Sequence, residues 1–347
     1  MSNIGTHPRQ KNVFPLLSLT LLLASISACL PTCAPPLEPL VPSRPVLTGL
    51  KATTADVEEI AIQAKLPSSP AWQIRLRREE RGGRRRWVFA ERSDRPGFQD
   101  LVDDAFIDHF LETLSTFEAE EKAGEGTDEI FGLAPYRLDV RILRKGADGK
   151  MLEQSLLLGD ATGLSNAYFR RRASEKETWV GRGAFVSFVG NLREPESFAW
   201  KHPYLASHEE VTTLTLEKTS PPNEGKWIFN RRFERDEKVW SAGKNASDTK
   251  GVDRDTALMI ERLLRQRIFG WPDESPAPEL LAKPDWTIRL ETAAAGEENL
   301  DVFFVLDRIY ARNPKRTPRL IELYPEFAGT LRAFTQFRST QTKSGTK

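Results

Sequence analysis

The sequence predicts an α+β fold: two tandem copies of a mostly antiparallel β-sheet unit, each with one long and one short helix. Three observations predict it. Short segments recur in the same order at nearly constant spacing. The recurring segments alternate apolar and polar residues, as half-buried strands do. Between them lie two stretches with apolar residues at helical spacing.

Internal repetition decides the architecture before any single element does. Val57-Glu58-Glu59-Ile60-Ala61-Ile62-Gln63 returns as Val211-Thr212-Thr213-Leu214-Thr215-Leu216-Glu217. Arg86-Trp87-Val88-Phe89 ends a strand that matches the one around Lys238-Val239-Trp240. Leu133-Ala134-Pro135 leads into Asp139-Val140-Arg141-Ile142, as Leu281-Ala282-Lys283-Pro284 leads into Thr287-Ile288-Arg289-Leu290. Leu156-Leu157-Leu158-Gly159-Asp160 aligns with Phe304-Val305-Leu306-Asp307, and Ala167-Tyr168-Phe169-Arg170 with Ile309-Tyr310-Ala311-Arg312. Phe188-Val189-Gly190-Asn191-Leu192-Arg193 returns as Phe327-Ala328-Gly329-Thr330-Leu331-Arg332. Six matches in one order, at offsets falling from 154 to 139, exceed coincidence.

The long helix of the first copy carries Val102, Phe106, Phe110 and Leu114, with Ile107 and Leu111 widening the stripe. Asp100 is placed to cap it, with Asp103 three residues on, where the helix dipole favours acids. In the second copy Met259, Ile260, Leu263 and Leu264 form the stripe. Gly82-Gly83 predicts a tight hairpin tip, since paired glycines accept positive φ. Hairpin-connected strands with segregated helices indicate antiparallel α+β units. The first copy spans 51–203 and the second 204–340, with His202-Pro203 breaking the pattern and 341–347 a disordered tail.

Residues 1–28 read as a lipoprotein signal peptide. Arg9 and Lys11 precede an apolar run, Val13 to Ala24, interrupted by Pro15, Ser18 and Thr20, and no acid appears before Glu38. That run is too short and broken for a spanning helix, which needs about 20 apolar residues. Ile26-Ser27-Ala28-Cys29 resembles the lipobox of bacterial lipoproteins, and the resemblance implies cleavage after Ala28 and acylation of Cys29. Ordinary signal-peptidase cleavage would put bulky Ile26 where a small residue is usual; an uncleaved anchor is the other competitor. Leu30 rather than Asp follows Cys29, which favours the outer membrane. Residues 29–50 then form a proline-rich tether, with Pro31, Pro35, Pro36, Pro39, Pro42 and Pro45. Such a segment extends as polyproline II at about 3.1 Å per residue.

Without residues 1–28 the chain loses Arg9 and Lys11 from its 50 basic residues, leaving 48 against 49 acids. That balance argues against nucleic acid as a partner. The two cysteines, Cys29 and Cys33, both precede the body, which therefore has no disulfide and no thiol nucleophile.

Phe131-Gly132-Leu133-Ala134-Pro135, with its proline one residue early, is similar to a Tyr-Gly-Leu-x-x-Pro motif. With Leu157-Leu158-Gly159-Asp160, Ala167 to Arg170 and Phe198-Ala199-Trp200, it makes residues 50–220 resemble the bacterial envelope proteins grouped as domain of unknown function 4340. That resemblance implies no assigned activity and companionship with ABC-2-type exporters or gliding-associated systems. Members of the family carry an N-terminal membrane helix, where this chain has a lipobox.

Chemistry is sparse. Of the histidines, His7 lies in the signal, and His109, at the edge of the helical stripe, reads as partly buried and structural. His202 and His208 are scattered, and His208-Glu209-Glu210 lacks the second His of a zincin motif. No serine sits in a G-x-S-x-G elbow, and Gly181-Arg182-Gly183 has no third glycine for a nucleotide fingerprint. Asp103-Asp104 and Glu118 to Glu121 read as a helix cap and a solvated helix end. Arg84-Arg85-Arg86, Arg170-Arg171-Arg172 and Lys315-Arg316 read as solvated tips and strand ends balanced by acids, against the alternative of contacts with anionic lipid heads or acidic glycans. Trp87, Trp179, Trp227 and Trp240 read as core.

The expectation is a non-catalytic cell-envelope lipoprotein, anchored through Cys29 with its body facing the periplasm. It would serve as accessory or scaffold to an envelope export or assembly system, with neither metal nor cofactor and no nucleic-acid partner. The alternative is a ligand- or glycan-binding lipoprotein with a cleft between the copies; a hydrolase is third.

Overall fold

The alternation of Val57–Ala64 buries Val57, Ile60, Ile62 and Ala64 and leaves the residues between them half-buried, as a period-two strand requires. The computed structural model describes residues 44–47, 54–67, 69–146, 148–172, 175–221, 225–234, 237–243, 251–293 and 296–341. Cys29, the expected signal and most of the expected tether lie outside these residues, as do 342–347 of the expected tail.

The first sheet contains β1 (Arg44–Pro45), β2 (Val57–Ala64), β3 (Trp72–Arg81), β4 (Arg84–Arg92), β5 (Glu118–Lys122), β6 (Leu138–Lys145), β7 (Met151–Ala161), β8 (Asn166–Arg170) and β9 (Trp179–Arg182). Helices α1 (Asp104–Ser115) and α2 (Ala184–Asn191) accompany it. The second contains β10 (Val211–Lys218), β11 (Gly225–Glu234), β12 (Glu237–Ala242), β13 (Ile268–Gly270), β14 (Trp286–Thr292), β15 (Gly296–Val305), β16 (Arg308–Arg312) and β17 (Leu320–Leu323), with α3 (Arg254–Leu264) and α4 (Glu326–Gln341). The pairings are antiparallel.

The first sheet runs β1-β5-β9-β8-β7-β6-β2-β3-β4. Taken from its far edge, the second runs β13-β17-β16-β15-β14-β10-β11-β12, the same succession without a counterpart of β1. Two mostly antiparallel sheets of one topology thus stand in tandem within one compact unit, Ser43–Lys347. Arg78 pairs with Trp87 across β3 and β4, and Arg231 with Trp240 across β11 and β12. In both, the guanidinium lies over the indole, at 5.0 and 5.1 Å.

Register corrects one alignment. Leu138 pairs with Leu158, and Trp286 with Val302, so Leu158 corresponds to Val302 rather than to the run beginning at Phe304. Leu306 and Asp307 form the β15–β16 turn, with Leu306 at φ 57°, whereas Gly159 and Asp160 stay inside β7. Short apolar runs look alike at neighbouring registers, and only pairing separates them.

The expected long and short helix describe the first sheet only, where α1 has 12 residues and α2 has 8. In the second, α3 has 11 and α4 has 16. Pro195 follows α2 and opens a short 3-10 turn, Pro195–Phe198, because proline cannot continue the helix. No proline interrupts α4, which runs to Gln341, inside the expected tail. The cap of α1 is Asp103, whose carboxylate accepts from the Ala105 and Phe106 amides, and not Asp100. Val102 precedes the helix and bridges to Ala199; the buried apolar stripe is Ile107, Phe110, Leu111 and Leu114. Glu118 to Glu121 belong to β5, not to a helix end.

Arg44 to Leu47 also leave the expected tether for the body. Arg44 and Pro45 pair with Ala119 and Glu118, Val46 and Leu47 are buried, and the Val46 amide donates to Phe117 O at 2.9 Å. Proline is accepted there because β1 is an edge strand. At the matching edge of the second sheet, the chain entering that sheet takes this part: the Ile268 amide donates to Lys201 O at 2.7 Å.

Candidate functional site

The most concentrated chemistry among the described residues lies where the two sheets meet, and it starts from Asp100. The Phe89 amide donates to Asp100 O (3.0 Å) and the Val102 amide to Trp87 O (2.9 Å), which lays residues 100–102 along β4. The Asp100 carboxylate takes the Leu101 amide at 2.7 Å and Trp271 Nε1 at 2.5 Å. Arg316 completes it bidentately, Nε to Oδ1 at 2.9 Å and Nη2 to Oδ2 at 3.0 Å, with both side chains 0% exposed. The same guanidinium donates to Trp200 O at 2.8 Å and to His202 O. One arginine from the second sheet therefore ties together the first sheet's β4 flank and the segment joining the copies. The planar fork of arginine suits this geometry, which a lysine could not reproduce.

Asn313 orients the loop that carries Arg316, its Oδ1 accepting the Lys315 and Arg316 amides at 3.2 and 3.3 Å. Its Nδ2 donates to Pro203 O at 3.1 Å and to Glu298 Oε1 at 2.5 Å. Glu298 also receives the Leu205 and Ala206 amides, at 2.5 and 3.2 Å. Burial pushes the Glu298 carboxyl above its ordinary value, and these donors, with Arg316, only partly offset it. Burial, then the charge of Glu298, raises the Tyr204 phenol, whose hydroxyl has no hydrogen-bond partner among the described residues.

Aromatic packing encloses the network. Phe98 meets Trp271 edge to face at 5.2 Å, and Arg92 and Lys201 lie over Phe98 and Trp271 at 4.6 and 5.1 Å. Burial works against the charge on Arg92, yet Asp94 and Glu196 outweigh it and hold its pKa high. Burial lowers both Lys201 and His202, and His202 Nδ1 meets Gln266 O at 3.1 Å. The charged side chains at the centre are engaged with one another or with backbone. Such an arrangement locks two elements together.

The basic clusters are largely paired. Arg84, Arg85 and Arg86 face Glu210, Glu58 and Asp104, and Arg170 faces Asp128. The reading of Arg316 as a solvated strand end is overturned by its burial against Asp100. Trp87, Trp227 and Trp240 are core, and Trp179 is half-buried. His109 is exposed rather than partly buried, because it lies a step off the buried stripe, with its ring edge on Phe188. Among the described residues no three His, Cys, Asp or Glu side chains are grouped to hold a metal, and no helix is long and apolar enough to cross a membrane.

Sequence reasoning missed the junction: Asp100 was read as a cap, while Trp271, Glu298 and Asn313 carried no motif. Their partners are up to 216 positions apart, so no local spacing could reveal them. Comparison with models of protein families, with curated proteins and with solved structures finds no match. The family resemblance rests on the quoted motifs alone.

Proposed function

We propose that the chain is a non-catalytic lipoprotein of the bacterial cell envelope, anchored by an acylated Cys29 and serving as accessory or scaffold to an export or surface-assembly system. We read its body as two copies of one α+β unit. The observation that carries the scaffold reading is the junction filled by Asp100, Arg316, Trp271, Glu298 and Asn313. A body whose halves are joined through buried, fully engaged charges holds its surfaces at fixed relative positions, which suits a docking platform. A ligand site between the copies would need an opening where those side chains sit. Membrane attachment rests on the Ile26-Ser27-Ala28-Cys29 sequence, and one acyl chain alone would bind marginally, so two or three are required for a stable anchor.

Two measurements test this. Metabolic labelling with an alkyne fatty acid should mark the wild type, and Cys29→Ala should lose both label and membrane retention; unchanged retention would sink the anchor. In-cell crosslinking from the exposed helix face at Asp108 and Glu112, followed by mass spectrometry, should recover an envelope transporter or assembly protein. Recovery of neither in labelled, correctly localised cells contradicts the scaffold role.

A further inference from the structure

The two sheets differ in the cross-strand pair near the end of β7. In the first, Ala161 pairs with Ala167 across β7 and β8, past a bulge in β7 that follows the Leu158–Phe169 pair; in the second, the rung two residues from Ala311 along β16 pairs Phe304 with Ile309. Phe304 and Ile309 pack on the hydrophobic core, with Ala328 of α4 against the same cluster. Where the first sheet has two alanines instead, a pocket of about 310 Å³ opens between β7, β8 and α2. Its apolar wall is Leu66, Leu158, Val186 and Val189, and Gly190 leaves the helix side open. Such a volume falls at the lower end of the range for small-molecule sites, about 300–1,000 Å³.

Two polar side chains converge on it. Arg137 Nε donates to Asp160, with the side chains 33% and 39% exposed, so both still reach solvent at the rim. The second sheet has no such pair: register places Asp285 at the position of Arg137, and its carboxylate accepts the Phe304 amide at 2.8 Å.

We propose that this pocket binds a small apolar amide, its alkyl or aryl group among Leu158, Ala167, Val186 and Val189 and its amide at the Arg137–Asp160 pair. An amide offers a carbonyl to the guanidinium and an N–H to the carboxylate, so both rim groups gain a partner. A free carboxylate meets the charge of Asp160, and an amine meets that of Arg137; each gains one contact and is opposed by the other. The site is independent of the scaffold role and lies away from the Asp100–Arg316 junction.

The test uses the purified full-length protein and three probes with one tail: octanamide, octanoate and octylamine, followed by calorimetry and ligand-observed NMR. Octanamide should bind, and more tightly than either charged analogue. Ala161→Phe combined with Ala167→Ile installs the second sheet's pair and should weaken octanamide binding by about tenfold or more, while the urea midpoint holds or rises. Ala167→Val, a smaller change, should give an intermediate loss and guards against misfolding of the double variant. The proposal is overturned if octanamide does not bind, if the charged probes bind as tightly, or if the folded filled variants bind as well as the wild type.

Discussion

The two sheets share a strand order and cover the face opposite their helices differently. In the first, a loop supplies the aromatic: Phe131 lies against Tyr168 at 4.7 Å, in a cluster with Leu133 and Leu157. Gly159 makes this possible, since a Cβ there would meet Phe131 O at 2.1 Å. In the second, the strand supplies it: Phe303, at the register position of Gly159, pairs with Tyr310, the counterpart of Tyr168. Each sheet buries a phenylalanine beside an equivalent tyrosine, one from a loop and one from the strand. The packing requirement belongs to the topology; which residue meets it does not. This freedom lets the first sheet keep a bulged, small-residue strand end where the second is filled.

The largest effect should come from the junction that makes the two halves one body. Arg316→Met leaves the Asp100 charge buried and unpaired, and should cost about 3–5 kcal/mol in urea unfolding. Adding Asp100→Asn removes the charge, keeps an acceptor for Trp271, and should recover part of the loss. A loss within error for Arg316→Met would mean that the halves do not depend on the pair.

Gly159→Ala should come next, near the upper end of the usual range of about 0.5–3 kcal/mol, because the loop must withdraw from β7. Phe303→Ala should also destabilise, through a cavity rather than a clash; Tyr168 and Tyr310 fluorescence-quenching changes or NMR shifts would separate the two mechanisms. An unperturbed Gly159→Ala variant breaks the contrast between the sheets.

The repeated arginine–tryptophan pairs give a smaller, graded test. Arg231 also donates to His208 O and Glu261, so Arg231→Ala should cost about 1–3 kcal/mol. Arg78→Ala removes the matching contact over Trp87, which contributes about 0.5–1 kcal/mol. An Arg78→Ala loss within error by chemical denaturation would show that the contact over Trp87 adds no stability.

The smallest effect concerns the segments that cover the β5 and β13 edges. Arg44–Pro45 on β5 has no group titrating near neutrality, whereas Lys201-His202 beside β13 does. Burial lowers the His202 pKa, so its neutral form is favoured in the folded state. The resulting stability is full above about pH 6.5 and is lost as pH falls through the lowered folded value. The midpoint difference between wild type and His202→Gln should therefore shrink from pH 7.5 to pH 5.5; a constant difference contradicts the assignment.

What was legible in the sequence is what local periodicity encodes. Val57–Ala64 and Val211–Lys218 announce themselves by alternation, and the hairpin tip by its paired Gly82-Gly83, which take the positive φ values of 59° and 77° that such a turn requires. The order of the matched segments anticipated the shared topology. The helix start was misplaced because Asp100 and Asp103 are both capping residues by type, and only the Arg316 partner separates their roles. The register of Leu156 to Asp160 was misplaced because apolar runs are degenerate. The pocket lay hidden in two alanines, whose meaning appears only when β7 and β15 are set in register. The proposed acylation of Cys29 rests on the sequence alone.

The claim that the two sheets form one locked body is tested most directly by pulsed hydrogen exchange through a urea series. Peptides covering 57–64 report the first sheet and those covering 211–218 the second. The Asp100–Arg316 junction predicts one coincident midpoint for both in the wild type, separating in Arg316→Met. Two distinct midpoints in the wild type would contradict it.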